Sequence, residues 1–117
     1  MYICLMQNNE LLKGTLKTII LHMLQEHGRM YGYELTQRVK ELSQEQIQIT
    51  EGALYPTLHK LEADGAVVTE KEYIGKRERK YYKITPSGRS QFATRIKEFT
   101  EFVNTMQLVL QLAPKKS

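Results

Sequence analysis

Thiols and long apolar runs are almost missing from this chain, and each gap removes a class of answers. Cys4 is the only cysteine in 117 residues, so no intrachain disulfide and no thiolate-held metal cluster can form, and a reducing cytoplasm is the expected home. The opening stretch Met1–Met6 is apolar but far too short for a signal-peptide core. No apolar run approaches the roughly 20 residues of a membrane span, so no membrane partner is expected. Catalytic signatures are lacking as well. There are no paired thiols, no His-x-x-x-His, no Gly-x-Ser-x-Gly and no phosphate-binding glycine loop, so neither an enzyme nor a bound cofactor is expected. His22 and His27 stand five apart, which does not stack them on one helix face for a metal; they read as a surface and a cap histidine. No internal repeat occurs, and low complexity is confined to the Ala-Pro-Lys-Lys-Ser tail, 113–117, which is expected to be disordered.

What remains is enough for one compact domain, with 41% hydrophobic residues for its core. The net charge of +4 is unevenly spread. Residues 1–49 carry five basic and five acidic side chains, whereas residues 50–117 carry twelve and eight. Within the second half, residues 76–97 hold Lys76, Arg77, Arg79, Lys80, Lys83, Arg89, Arg95 and Lys97 against Glu78 alone, a local +7. Such a run suits a polyanion such as DNA; a solvated charged surface is the bland alternative.

The stretch Thr50–Gly65 organises the chain. Leu54, Leu58 and Leu61 recur at i, i+4 and i+7, one face of a helix, while Gly52, Pro56, His59, Lys60 and Ala63 fall on the opposite face. Thr50 can cap the start and Gly65 can close the end. Proline is scarce, three in all, so Pro56 inside a helix stands out. It deletes one hydrogen bond and presses its ring on the carbonyl of Gly52, so a tight or distorted first turn is expected. Small residues outside and leucines inside suit a helix that approaches a surface closely. An amphipathic helix with an odd proline is the alternative.

Upstream, residues 9–27 read as a helix with Leu12, Leu16, Ile19, Ile20, Met23 and Leu24 as its apolar stripe, stopped by Gly28. Leu11 and Ile20 widen that stripe, which suggests burial on two sides, one of them supplied by another subunit. Tyr31-Gly32-Tyr33-Glu34-Leu35 leads into a second helix through about Leu42, with Leu35, Val39 and Leu42 facing inward. Ser43–Gln48 is loop-like, and Ile47 and Ile49 alternate as a short strand. Two helices ahead of Thr50 make a helix-turn-helix with a long turn. After Gly65, Ala66–Tyr73 and Lys80–Thr85 read as the strands of a hairpin whose tip is Ile74–Arg79. Val67 or Val68, with Tyr82 and Ile84, would face the core, and Lys76, Arg77, Arg79 and either Tyr81 or Lys83 would project. A basic finger beside such a helix is a winged helix-turn-helix.

Thr85-Pro86-Ser87-Gly88 opens a last helix of about 25 residues, some 37 Å long. Along it Phe92, Ile96, Phe99, Val103, Met106 and Leu110 follow at spacings 4, 3, 4, 3, 4, an a/d seam, flanked by Phe102 and Val109. The helix is longer than the small domain before it can cover. Dimerisation through this seam, with Leu16 and Ile20 of the first helix, is the economical reading; a purely internal core helix is the other. The fold class is thus mainly α with a small β-hairpin (α+β): a winged helix-turn-helix over 1–85, a dimerisation helix over 86–112, and the tail.

Taken together, His27-Gly28, Tyr31-Gly32-Tyr33-Glu34-Leu35, Gly52-Ala53-Leu54-Tyr55-Pro56, Leu61-Glu62-Ala63-Asp64-Gly65 and Lys80-Tyr81-Tyr82-Lys83-Ile84-Thr85 with Gly88 resemble the PadR-like transcriptional regulators over nearly the whole chain. The single closing helix resembles the family's short branch. The resemblance implies a cytoplasmic homodimeric repressor that binds an inverted repeat in double-stranded DNA and is released by a small molecule. It maps the family's Tyr-Pro pair onto Tyr55 and Pro56 and its basic wing onto Lys76, Arg77, Arg79 and Lys80. Multidrug-sensing members of the short branch hold flat aromatic compounds with a tryptophan of the last helix, and this chain has none. Phe99 and Phe102 are the aromatic candidates for a small aromatic or hydrophobic effector, and dimer core is their other reading. For DNA, Lys60, Lys76, Arg77, Arg79 and Lys80 would neutralise phosphates. Tyr55, Thr57 and His59, with close approach at Gly52, would address base edges. The alternative function is a winged-helix module that meets an acidic protein partner without specific DNA binding.

Overall fold

A computed structural model describes residues 10–112. In chain order the elements are α1 (Glu10–His27), β1 (Met30–Tyr31), α2 (Gly32–Leu42), α3 (Glu51–Ala63), β2 (Val67–Ile74), β3 (Arg77–Ile84) and α4 (Pro86–Leu110). The opening run, Cys4 and the tail 113–117 lie outside the described residues.

Helix α1 is the hub, touching α2, α3, α4 and β3. Its buried set is Leu12, Leu16, Ile20, Leu21, Met23 and Leu24. Leu21, outside the apolar stripe read from the spacing, also belongs to the core, because the domain wraps more of α1 than a single neighbour would. Leu35 and Val39 of α2, Leu54, Leu58 and Leu61 of α3, and Val67, Tyr82 and Ile84 of the sheet complete the core. Each fully buried leucine contributes about 1.5–3 kcal/mol relative to exposure. Leu16 and Ile20 are therefore corrected as dimer residues: at 4% and 0% exposed they have no surface left for a second subunit. The open side of α1 carries Leu11, Thr15, Thr18 and Ile19 instead. Leu42 also departs from expectation. It sits 64% exposed, because the α2 stripe turns away from the core at the last helical residue.

The sheet is antiparallel with order β1-β3-β2, Met30 facing Tyr82 and Val67 facing Ile84. Ile47 and Ile49 do not form a strand; the place beside β3 is taken by Met30–Tyr31. Ile49 is buried and Ile47 packs against the core, so their apolar side chains anchor the α2–α3 loop without any ladder. The hairpin is also longer and tighter than expected. Ile74 pairs with Arg77, leaving Gly75 and Lys76 as a two-residue turn with Gly75 at φ +66°, a backbone conformation that favours glycine. Val67 faces the core and Val68 faces out.

Helix α4 starts as its sequence requires. The Thr85 hydroxyl accepts from Gly88 N at 2.9 Å and Pro86 occupies the first turn. The same hydroxyl donates to the Gly65 carbonyl at 2.6 Å, tying the start of α4 to the end of α3. From there the helix runs past α1, with the His22 and Phe92 rings 5.8 Å apart. Gly88 is its only fully buried residue; Phe92 packs on the core, and the apolar residues that follow are exposed or half-buried.

Candidate nucleic-acid interface

Helix α3 is held at both ends and along one face. Thr50 Oγ1 accepts from Ala53 N at 3.2 Å, capping the start. At the other end Gly65 N donates to the Glu62 carbonyl and Ala66 N to the Leu61 carbonyl, the paired bonds of a Schellman stop. The helix runs unbroken through Pro56. With Leu54, Leu58 and Leu61 buried, the residues turned outward are Glu51, Gly52, Tyr55, Pro56, His59, Lys60 and Ala63. This face is level around Gly52, Pro56 and Ala63, with His59 and Lys60 projecting from its middle and the exposed carboxylates of Glu51 and Glu62 nearer its ends.

Two of the expected reading residues are partly engaged within the chain. The Tyr55 side chain lies back over Gly32, at the start of α2, so closely that a Cβ on Gly32 would fall 2.3 Å from the Tyr55 hydroxyl oxygen. Thr57 is half-buried, and its hydroxyl donates to the Ala53 carbonyl at 2.8 Å. Tyr55 thus links α3 to α2, and it still exposes 36% of its surface.

In the hairpin, Lys76 and Arg77 stand exposed at the tip and make no ion pair among the described residues. Arg79 and Lys80 are half-buried, and Arg79, expected among the phosphate contacts, is already engaged within the chain. Its guanidinium lies 4.1 Å over the Tyr31 ring, and hydrogen bonding to the Tyr81 hydroxyl is the main influence holding its pKa above the ordinary value. Lys80 Nζ stands 5.6 Å from the Tyr82 ring.

Sequence reasoning missed the partners of that arrangement. Arg29, between α1 and β1, lies 4.1 Å over the Tyr81 ring and pairs with Glu70 at 3.1 Å and with Glu72. Hydrogen bonding to Glu72 first, and to Glu70 next, raises its pKa, against a partial opposing effect of desolvation. Tyr31 and Tyr81 meet edge to face at 5.5 Å. The signal was the i, i+2 spacing of Arg29/Tyr31, Glu70/Glu72 and Arg79/Tyr81, which becomes legible only once the strand register is known.

Two open grooves lie along α1 and α4. One of roughly 900 Å³ is lined by Leu11, Leu12, Phe99, Phe102, Val103 and Met106 among others. A second of roughly 560 Å³ is lined by Ile19, His22, Leu42, Phe92, Ile96 and Phe99 among others. Phe99 lines both and is 43% exposed; Phe102 lines the larger and is 56% exposed. No cluster of three metal-ligating side chains exists among the described residues, and none of their helices is long and apolar enough to cross a membrane.

Against known proteins, the model of the transcriptional regulator PadR-like family matches residues 20–94. The chain belongs to the PadR-like family. The match runs from the middle of α1 through the winged helix-turn-helix into the first turns of α4, so the chain is a PadR-like transcriptional regulator. It is 40% identical over 81 residues to the transcriptional regulator Rv3488 of Mycobacterium tuberculosis, covering 69% of this chain and 72% of that one. Among solved structures, a transcriptional regulator from Clostridium thermocellum superposes with TM-score 0.79 at 27% identity, covering 91% of this chain and 100% of that one. Bacillus subtilis PadR, solved in complex with operator DNA, superposes with TM-score 0.63 at 29% identity over 69% of this chain and 46% of that one.

Proposed function

We propose that this PadR-like regulator is a cytoplasmic, homodimeric repressor that binds an inverted-repeat operator and is released by a small apolar effector. The observation that carries DNA binding is the pairing of α3, anchored by three leucines and level on its outer face, with a hairpin that presents Lys76 and Arg77 without ion pairs among the described residues. His59 and the backbone near Gly52 would address base edges in the major groove. Lys60, Lys76, Arg77 and Lys80 would meet phosphates, which gives affinity without sequence information. The operator-bound state of Bacillus subtilis PadR supports the same use of this fold.

The dimer is supported by α4. The Cα radius of gyration is 16.1 Å, against about 13 Å for a compact chain of this length, because the helix projects with Phe99, Phe102, Leu108, Val109 and Leu110 uncovered. A second copy packed on this seam and on Leu11 would bury them, and its two-fold axis would set two α3 helices about 34 Å apart. The apolar grooves beside Phe99 and Phe102 have volumes in the range of small-molecule sites. An effector seated there would act by favouring one dimer spacing over another, with leverage equal to its differential affinity.

Fluorescence anisotropy tests the reading, with a duplex from immediately upstream of the gene and a scrambled control. The expected result is a preference of about a thousandfold or more, with log affinity falling steeply against log salt. Equal, weak binding to both duplexes would contradict control of the protein's own gene and favour the protein-contact reading of the winged helix.

A further inference from the structure

The outer face of the sheet sandwiches a pair of tyrosines between two arginines: Arg29 over Tyr81, Tyr81 edge-on to Tyr31, and Tyr31 beneath Arg79. Arg29 then reaches across β3 to Glu70 and Glu72 on β2, and Lys83 approaches Glu70 from the same face at 3.9 Å. The stack is rooted in the helices. Tyr31 N donates to the Glu34 carboxylate at 3.1 Å in the first turn of α2, and the next residue, Gly32, is where Tyr55 of α3 rests. One continuous set of contacts therefore runs from α3 through the start of α2 to both strands of the hairpin.

The hairpin needs such a tie. Strand β1 pairs with β3 only at Tyr81 and Tyr82, so beyond Tyr81 the ribbon of β2 and β3 has no third strand, and a two-stranded ribbon is marginal in water. Glu70 and Glu72 are otherwise out of place. Carboxylates on a finger meant for a polyanion weaken its attraction, unless their work lies inside the protein. Arg29 is suited to that work, because its planar fork pairs with two carboxylates while its face lies on a ring, a combination that lysine does not reproduce.

We propose that Arg29 and Arg79 are positioning residues, which clamp the wing to the helix-turn-helix at a set distance from α3 and make no phosphate contact of their own. The clamp rests on the DNA-binding reading above for its purpose, but its existence is measurable without DNA. The first experiment is amide hydrogen exchange on the free protein, comparing wild type with R29A and with the double variant E70Q/E72Q. Faster exchange confined to the amides of 71–74 and 77–80, with α1 unchanged, is expected. Unaltered exchange in the ribbon would overturn the clamp, whatever the protein binds.

The second experiment is a salt series of anisotropy titrations with the tightest duplex recovered from a random-sequence pool. Removing two negative charges from the wing should tighten DNA binding by simple electrostatics. The clamp requires the opposite sign: E70Q/E72Q weakens binding about five- to tenfold with an unchanged salt slope. R29A weakens it similarly, again without a change of slope, and R29K does not restore it. K76A, the control, lowers the slope by about one. Tighter binding by E70Q/E72Q would reduce the carboxylates to simple repulsion, and an R29A slope reduced by about one and recovered in R29K would make Arg29 a phosphate contact; either result sinks the proposal. If wild type shows no duplex preference, the DNA-binding reading fails while the exchange experiment still decides the clamp.

Discussion

A Cβ placed on Gly88 would sit 2.1 Å from the Ala66 carbonyl oxygen and 2.7 Å from Ile84 Cγ1. The obstacle at Ala66 is backbone, already engaged by Thr85 N at 3.0 Å, so it cannot yield the way a side-chain tip can. Gly88→Ala is expected to cost about 2–3 kcal/mol of stability by urea unfolding, although alanine favours a helix elsewhere. A loss under 0.5 kcal/mol would mean that α4 docks more loosely than this contact implies. A second residue-scale effect belongs to Tyr82. Burial, helped by nearby Tyr55 and Glu62, pushes its hydroxyl up from the usual value of 10.0. Its contribution to stability is therefore fully present below about pH 10, where the unfolded tyrosine ionises, and is lost as pH rises through the folded pKa. Urea midpoints measured from pH 8 to 11 should fall more steeply above pH 10 in wild type than in Tyr82→Phe; parallel curves would assign the alkaline loss to other groups.

At the scale of elements, the loop between α2 and α3 carries an unusual conformation. Gln44 and Glu45 are both left-handed, at φ 54° and 67°, where side chains with a Cβ cost about 1 kcal/mol or more. Ser43 braces the loop, donating to the Lys40 carbonyl at 3.1 Å and accepting from Ile47 N at 2.9 Å. Glu45→Gly is expected to keep or raise stability by up to about 1 kcal/mol, and Glu45→Val to lower it by at least as much; the reverse order would remove the strain argument. This loop also marks where the sequence stopped being legible. Helix α3, its Thr50 cap, its Gly65 stop and the Thr85–Pro86 start of α4 were readable, because a local side chain satisfies a local backbone group. Strand β1 was not, since Met30 and Tyr31 find their ladder about fifty residues later. Alternation at Ile47 and Ile49 pointed to a strand, and burial proved to be the reason for it. Leu16, Ile20 and Leu42 show the same limit: spacing marks a residue as apolar and says nothing of what covers it.

At the scale of the whole molecule, a single chain leaves apolar surface uncovered. A winged helix-turn-helix with a well-filled core carries a helix whose distal half shows Phe102, Leu108, Val109 and Leu110 to solvent. Sedimentation velocity is expected to give a dimer for the wild type and a monomer for Phe99→Asp, because a carboxylate in an apolar seam must give up its hydration, a cost that Arg95 one turn away offsets only in part. An unchanged dimer would move the interface off this seam. In the proposed dimer the symmetry would convert one α3 helix into a reader of two half-sites, and the basic tips into clamps on either side. Selection of tight-binding duplexes from a random-sequence pool tests that claim most directly. The expected outcome is an inverted repeat whose half-site centres lie about one helical turn, roughly 10 base pairs, or a multiple of it apart. Recovery of no enriched motif at physiological salt, with retained material bound only through charge, would contradict the reading of this protein as a sequence-specific regulator.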